Sequence, residues 1–121
     1  MMAAEKPFLA PCEGINKPLD LASIEKFLTR LGDGWTLTAE KNAITKDFCF
    51  KNYYQTIAFV NAIAWLTHFE NHHPDLEVGY NHCRVRYTTH AIHGLSENDF
   101  MCANKINRLY HSHEDAVYDK K

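Results

Sequence analysis

Five of the eight histidines in this 121-residue chain fall in one short stretch: His68, His72, His73, His82 and His90. An imidazole has an unperturbed pKa of about 6.5, so a group of them is suited to moving protons near neutral pH. His72 and His73 are consecutive and are followed by Pro74, which disfavours helical geometry at the residue before it. His68 precedes His72 by four residues, which on the last turns of a helix places the two Cβ atoms about 6 Å apart. His90 comes from a separate segment, so a site that joins it to His72 and His73 exists only in the folded chain.

Three uses compete for these residues. Two imidazoles on opposite sides of a small substrate can donate a proton to a leaving group and remove one from an adjacent atom. A His pair at i and i+4 with a third His from another element is also a zinc-ligand spacing. Against that, consecutive His72 and His73 on a helix cannot both face one ion and no Cys lies next to the cluster, so a His-ligated metal is the secondary reading and no bound zinc is expected. The third use is structural, with the rings capping a helix end or lying in solvent, and it is the reading adopted for His82, His93, His111 and His113. For His72, His73 and His90 the expectation is an acid/base site.

The elements that must position these side chains follow from periodicity. Residues 1–18 contain Pro7, Pro11, Gly14 and Pro18 and read as a loosely held arm. Leu21, Ile24, Leu28 and Leu31 recur at helical spacing, with Asp20 as a cap and Gly32 as a stop. Trp35 to Thr38 and Ile44 to Phe50 predict a hairpin, in which Ile44, Lys46, Phe48 and Phe50 share one side. Asn52 caps a long helix to about Asn71, whose apolar residues form two stripes: Ile57, Val60 and Ala64, then Phe59, Ala62, Leu66 and Phe69. A helix apolar on two faces has to bury both, and a sheet in so small a domain covers only one, which predicts an oligomer.

Leu76 to Tyr80 and Cys83 to Thr89 predict a second hairpin about a tight Asn81-His82 connection, with Cys83, Val85 and Tyr87 facing one way. Ser96 and Asp99 have the spacing of a capping box for a third helix marked by Phe100, Ala103, Ile106 and Tyr110, and the polar tail from about His111 is expected to fray. The order α-β-β-α-β-β-α gives an α+β domain over residues 19–113, with a four-stranded antiparallel sheet, three helices packed on one of its faces and a polar tail over 114–121. The uncovered sheet face is a second candidate for self-association.

Composition narrows the class. With 13 Lys and Arg scattered among 15 Asp and Glu, and a formal charge of −2, there is no basic stripe for nucleic acid. Cys12, Cys49, Cys83 and Cys102 form no Cys-x-x-Cys pair, so reduced thiols are expected. There is no apolar run of membrane-spanning length, and Met1 to Ala10 lacks a signal peptide's basic start and apolar middle, which makes the cytoplasm the expected location.

The run His68-x3-His72-His73-Pro74, then Tyr80, His90, and Gly94-Leu95-Ser96-Glu97-x-Asp99, closely resembles the signature of the pterin-4a-carbinolamine dehydratases. The likeness extends more loosely through Phe48-x-Phe50 and Gly34-Trp35, covering most of residues 20–110. The resemblance implies a hydro-lyase that dehydrates 4a-hydroxytetrahydropterins in tetrahydrobiopterin recycling, assembled as dimers or tetramers, with no metal or redox cofactor. It makes His72 and His90 the general acid/base pair and His73 a substrate-binding histidine, with Asn71, Thr88, Thr89 and Ala91 lining the pterin pocket. Asp99 matches the family's acidic residue near the site. His68 stands where Glu is usual in animal members, Leu76 where Trp is usual, and Asn71 where Asp is usual. Animal relatives also partner a transcription factor, so the resemblance carries a second possibility: a non-catalytic binding module, present in the nucleus as well.

Overall fold

The computed structural model describes residues 17–119. The expected N-terminal arm therefore lies outside the described residues, except for Lys17 and Pro18. Three α-helices, α1 (Leu21–Leu31), α2 (Tyr53–Glu70) and α3 (Glu97–Asp119), accompany four strands, β1 (Thr36–Leu37), β2 (Ile44–Cys49), β3 (Asp75–Val78) and β4 (His82–Tyr87). The strands form one antiparallel sheet in the order β1-β2-β4-β3. This is the α+β architecture expected, in the expected order.

The local signals act as their chemistry dictates. Asp20 accepts from Ser23 N at 2.8 Å to cap α1, and Asn52 accepts from Gln55 N at 2.9 Å to cap α2. Gly32 ends α1 at a φ of 59°, its N–H bonded to Leu28 O. Across the β2–β4 pairing, Ile44 faces Tyr87, Lys46 faces Val85 and Phe48 faces Cys83. All of these except Lys46 are buried, and they form the core together with Phe59 and Ile63 of α2 and Leu95, Ala103 and Ile106 around α3. Lys46 keeps its stem on that side and lays its ammonium 4.6 Å from the Phe48 ring centroid. The opposite sheet face carries Asp47, Asp75, Glu77, Arg84 and Arg86, joined by cross-strand ion pairs.

Several boundaries differ from expectation. The second hairpin turns at Tyr80-Asn81, closed by Gly79 N to His82 O at 2.8 Å, so β3 starts and stops earlier than expected and His82 already belongs to β4. β4 ends at Tyr87, before Thr88 and Thr89. α3 runs on through Asp119 instead of ending near Tyr110, since positions 111–119 contain no Gly or Pro to stop it. Among the described residues no helix is long and apolar enough to cross a membrane.

Candidate active site

α2 stops at Glu70 because Asn71 adopts the left-handed conformation, at a φ of 56° and ψ of 35°, with its N–H on Thr67 O at 2.9 Å. Asn is one of the few residues that enters this region at low cost. The turn takes His72 off the helical ladder, so His68 and His72 are not the i, i+4 helical neighbours their spacing predicts. His68 stays exposed, its ring edge-on to Phe69, whereas His72 swings inward and is 9% exposed.

Once inside, the His72 ring stacks on Tyr87 with centroids 5.3 Å apart and 28° between planes. Tyr87 reaches this position by the period-two alternation of β4 and donates its O–H to the His72 carbonyl at 3.3 Å. Burial pushes the Tyr87 phenol far above its ordinary range, with Cys102 and Asp99 adding to the shift, so it remains a donor at neutral pH. Burial likewise pushes the Cys102 thiol up to about 12 and the Cys83 thiol up to about 11, which keeps both protonated.

Asp99, from the first turn of α3, is fully buried and places Oδ1 2.6 Å from His72 Nε2. Its other oxygen accepts from Ser96 N at 2.9 Å and Thr89 Oγ1 at 2.8 Å. One carboxylate thus closes the capping box of α3 and orients the imidazole. When Nε2–H donates to Asp99, Nδ1 is the basic nitrogen of the neutral ring.

His68, Asn71, His72 and His73 line one cavity of about 430 Å³, together with Thr67, Pro74 and an apolar wall that includes Ile63 and Leu76. His73 is exposed, with Nδ1 3.3 Å from the Pro74 carbonyl. The other expected site residues lie elsewhere. Thr88 is buried and donates to backbone carbonyls at Asn42 and Gly94, while Thr89 is buried against Asp99. His90 and Ala91 are exposed on a single 3-10 turn, His90–Ile92, and neither lines the cavity. Two contributors escaped the sequence reading. Tyr87 was placed on the core face by alternation, but only the fold puts His72 over it, and the cavity wall needs the facing of α2 and β3. Among the described residues, no three His, Cys, Asp or Glu side chains gather as a metal-binding group.

Residues 17–109 match the family model for pterin 4 alpha carbinolamine dehydratase. The chain belongs to that family. A relative from Nitrosomonas europaea, whose name assigns it to the same family, is 59% identical over 102 residues, covering 84% of this chain and 88% of its own. Another from Legionella pneumophila is 54% identical over 98 residues, or 81% of this chain and 87% of its own. Among solved structures, a transcriptional coactivator/pterin dehydratase from Brucella melitensis superposes with a TM-score of 0.73 at 30% identity, covering 78% of this chain and 99% of that one. A pterin dehydratase-like protein identified as a RuBisCO assembly factor shares the fold at a TM-score of 0.57 and 23% identity, over 66% of this chain and 93% of that one.

Proposed function

We propose that the chain dehydrates a 4a-hydroxytetrahydropterin to the quinonoid dihydropterin, with His72 as its central acid/base. The observation that carries this reading is the buried imidazole of His72 held 2.6 Å from Asp99 at the wall of the His68–Asn71–His73 cavity. In the reaction the C4a–O bond breaks, a proton joins the departing hydroxyl to form water, and N5 loses its proton as the C4a–N5 double bond forms. As the imidazolium, with Nε2–H held on Asp99, His72 can deliver the first proton from its other ring nitrogen, and a second base removes the other; each such transfer contributes about 10²- to 10⁴-fold. His73, exposed at the cavity mouth, serves binding. The resemblance assigns the second acid/base role to His90, which stands exposed on its own turn, outside the lining of that cavity. The test is to follow quinonoid dihydropterin formation from the synthetic carbinolamine. Catalysis above the spontaneous rate supports the assignment, and its absence refutes it. Tetrahydrobiopterin recycling in the cytoplasm is the setting this activity implies.

A second reading concerns the outward face of α2, where Tyr54, Trp65 and Phe69 are 81%, 69% and 62% exposed. So much aromatic surface on one helix fits a second copy of the chain, and fits it better than the charged face of the sheet does. The same surface suits a protein partner, in keeping with the coactivator role named for the Brucella relative. Trp65→Asp should lower the mass measured by sedimentation; an unchanged mass would remove α2 from the contact.

A further inference from the structure

Thr89 does not line the cavity, yet it touches what holds both histidines. It is 1% exposed, at the point where the chain leaves β4. Two hydroxyls and one amide surround Asp99 Oδ2. Ser96 N lies at 2.9 Å, Thr89 Oγ1 at 2.8 Å and Ser96 Oγ at 3.4 Å, while the two hydroxyl oxygens are 2.8 Å apart. Each hydroxyl has a single proton to give. If Thr89 donates to Asp99 and Ser96 donates to Thr89, both bonds have the ordinary O–H···O length of 2.8 Å. If the order is reversed, the carboxylate is reached only across 3.4 Å. The first arrangement is preferred, and the chain of donors runs Ser96 to Thr89 to Asp99. With Oδ2 occupied by Thr89 and the Ser96 amide, Oδ1 is turned to His72 Nε2.

The backbone of Thr89 does a separate job. Its N–H donates to Gly94 O at 2.9 Å, and its carbonyl accepts from Ile92 N at 3.2 Å and Gly94 N at 3.4 Å, which closes the turn that opens with His90. That turn is packed from outside. A Cβ at Gly94 would come within 2.6 Å of Pro18, and Leu19 N bonds Leu95 O at 2.8 Å.

We propose that Thr89 is the positioning residue that ties the two acid/base histidines together: its hydroxyl holds Asp99 against His72, and its backbone fixes the turn carrying His90. The effect on turnover rests on the dehydratase reading; the effect on the His72 ring does not. The test compares Thr89→Val, which keeps the branched shape without the hydroxyl, with Thr89→Ser, which keeps the hydroxyl, in the full chain. Loss of one hydrogen bond to a charged group corresponds to a fall in kcat of about 10- to 100-fold for Thr89→Val. KM should stay within about twofold, because the cavity wall is untouched, and Thr89→Ser should recover most of the rate. By NMR, the His72 Nε2–H resonance, assigned by its loss in His72→Ala, should move in Thr89→Val and keep its place in Thr89→Ser.

A wild-type rate in Thr89→Val with an unmoved resonance overturns the proposal, as does an equal loss in both variants, which would indicate packing alone. If the wild-type chain has no dehydratase activity, the functional reading falls and the resonance alone decides the role of Thr89. If Thr89→Val does not fold, Ser96→Ala removes the donor behind Thr89. A smaller shift of the same resonance then supports the chain of donors, and no shift overturns it.

Discussion

His72 and Asp99 meet at 2.6 Å with 9% and 0% of their side chains exposed, whereas Arg84 and Asp47 meet at 3.0 Å across the open face of the sheet with 51% and 48% exposed. The two contacts look alike as distances and differ in what surrounds them. Arg84 and Asp47 form a fork on a wet surface, where water and salt screen the attraction and either partner can be solvated if the other leaves. His72 is wedged between Tyr87 and a carboxylate whose second oxygen is already occupied. If either His72 or Asp99 is removed, the other loses a hydrogen bond at a buried position, so breaking this pair costs more than breaking the surface pair.

The sharpest way to break that comparison is to empty the buried side. His72→Ala is expected to lower kcat by about 10²- to 10⁴-fold with the chain still folded. Asp99→Asn keeps the shape but presents an amide to donors at Thr89 and Ser96. It should cost about 10- to 100-fold in kcat, together with about 1–3 kcal/mol of stability. Circular dichroism and thermal melting separate the two effects. Full activity in either variant would mean that the buried pair is only structural.

His73 refines the comparison, since it lines the same cavity but is exposed, with Nδ1 3.3 Å from the neighbouring Pro74 carbonyl. Without a buried partner it cannot be held in one protonation geometry as His72 is. His73→Ala should therefore raise KM by about 3- to 30-fold and leave kcat nearly unchanged. Steady-state kinetics over a range of pterin concentrations decide the matter, and a fall in kcat equal to that of His72→Ala would place His73 in the chemistry.

Caps, the alternating strands and the element order were legible because each depends on neighbours in sequence: Asp20 with Ser23, Asn52 with Gln55, Ser96 with Asp99. The buried face of α2 was not. Its centre is Thr56, Phe59, Ile63 and Thr67, and two threonines broke the apolar pattern that would have marked it. They are tolerated inside because Thr56 donates to carbonyls at Asn52 and Tyr80, and Thr67 to that of Ala64. In the site, the cluster and Asp99 could be picked out by residue type and spacing. The inward turn of His72 could not, since it depends on one left-handed residue, Asn71, and the burial of Thr88 and Thr89 depends on where α3 and the Gly94 turn close over them.

The smallest expected effect lies on the exposed side of the comparison, and pH reveals it. Hydrogen bonding from Arg84 holds the Asp47 carboxyl below its ordinary range, against a smaller opposing contribution from burial. A carboxylate with a depressed folded-state pKa contributes stability that is present above its unfolded value, about 3.9, and is lost as pH falls through the folded value. Because both side chains are about half exposed, screening leaves little of that contribution. Asp47→Asn should therefore lower Tm by no more than about 3 °C at pH 7 in dilute buffer. The gap should narrow as salt is added, and wild type and variant should converge once the pH drops below the carboxylate range. Kinetics of the dehydration should not change, because Asp47 lies on the far face of the sheet from the His72 cavity. A salt-independent loss of many degrees would show that the open-face pair is coupled to the core, and the contrast with His72 and Asp99 would no longer hold.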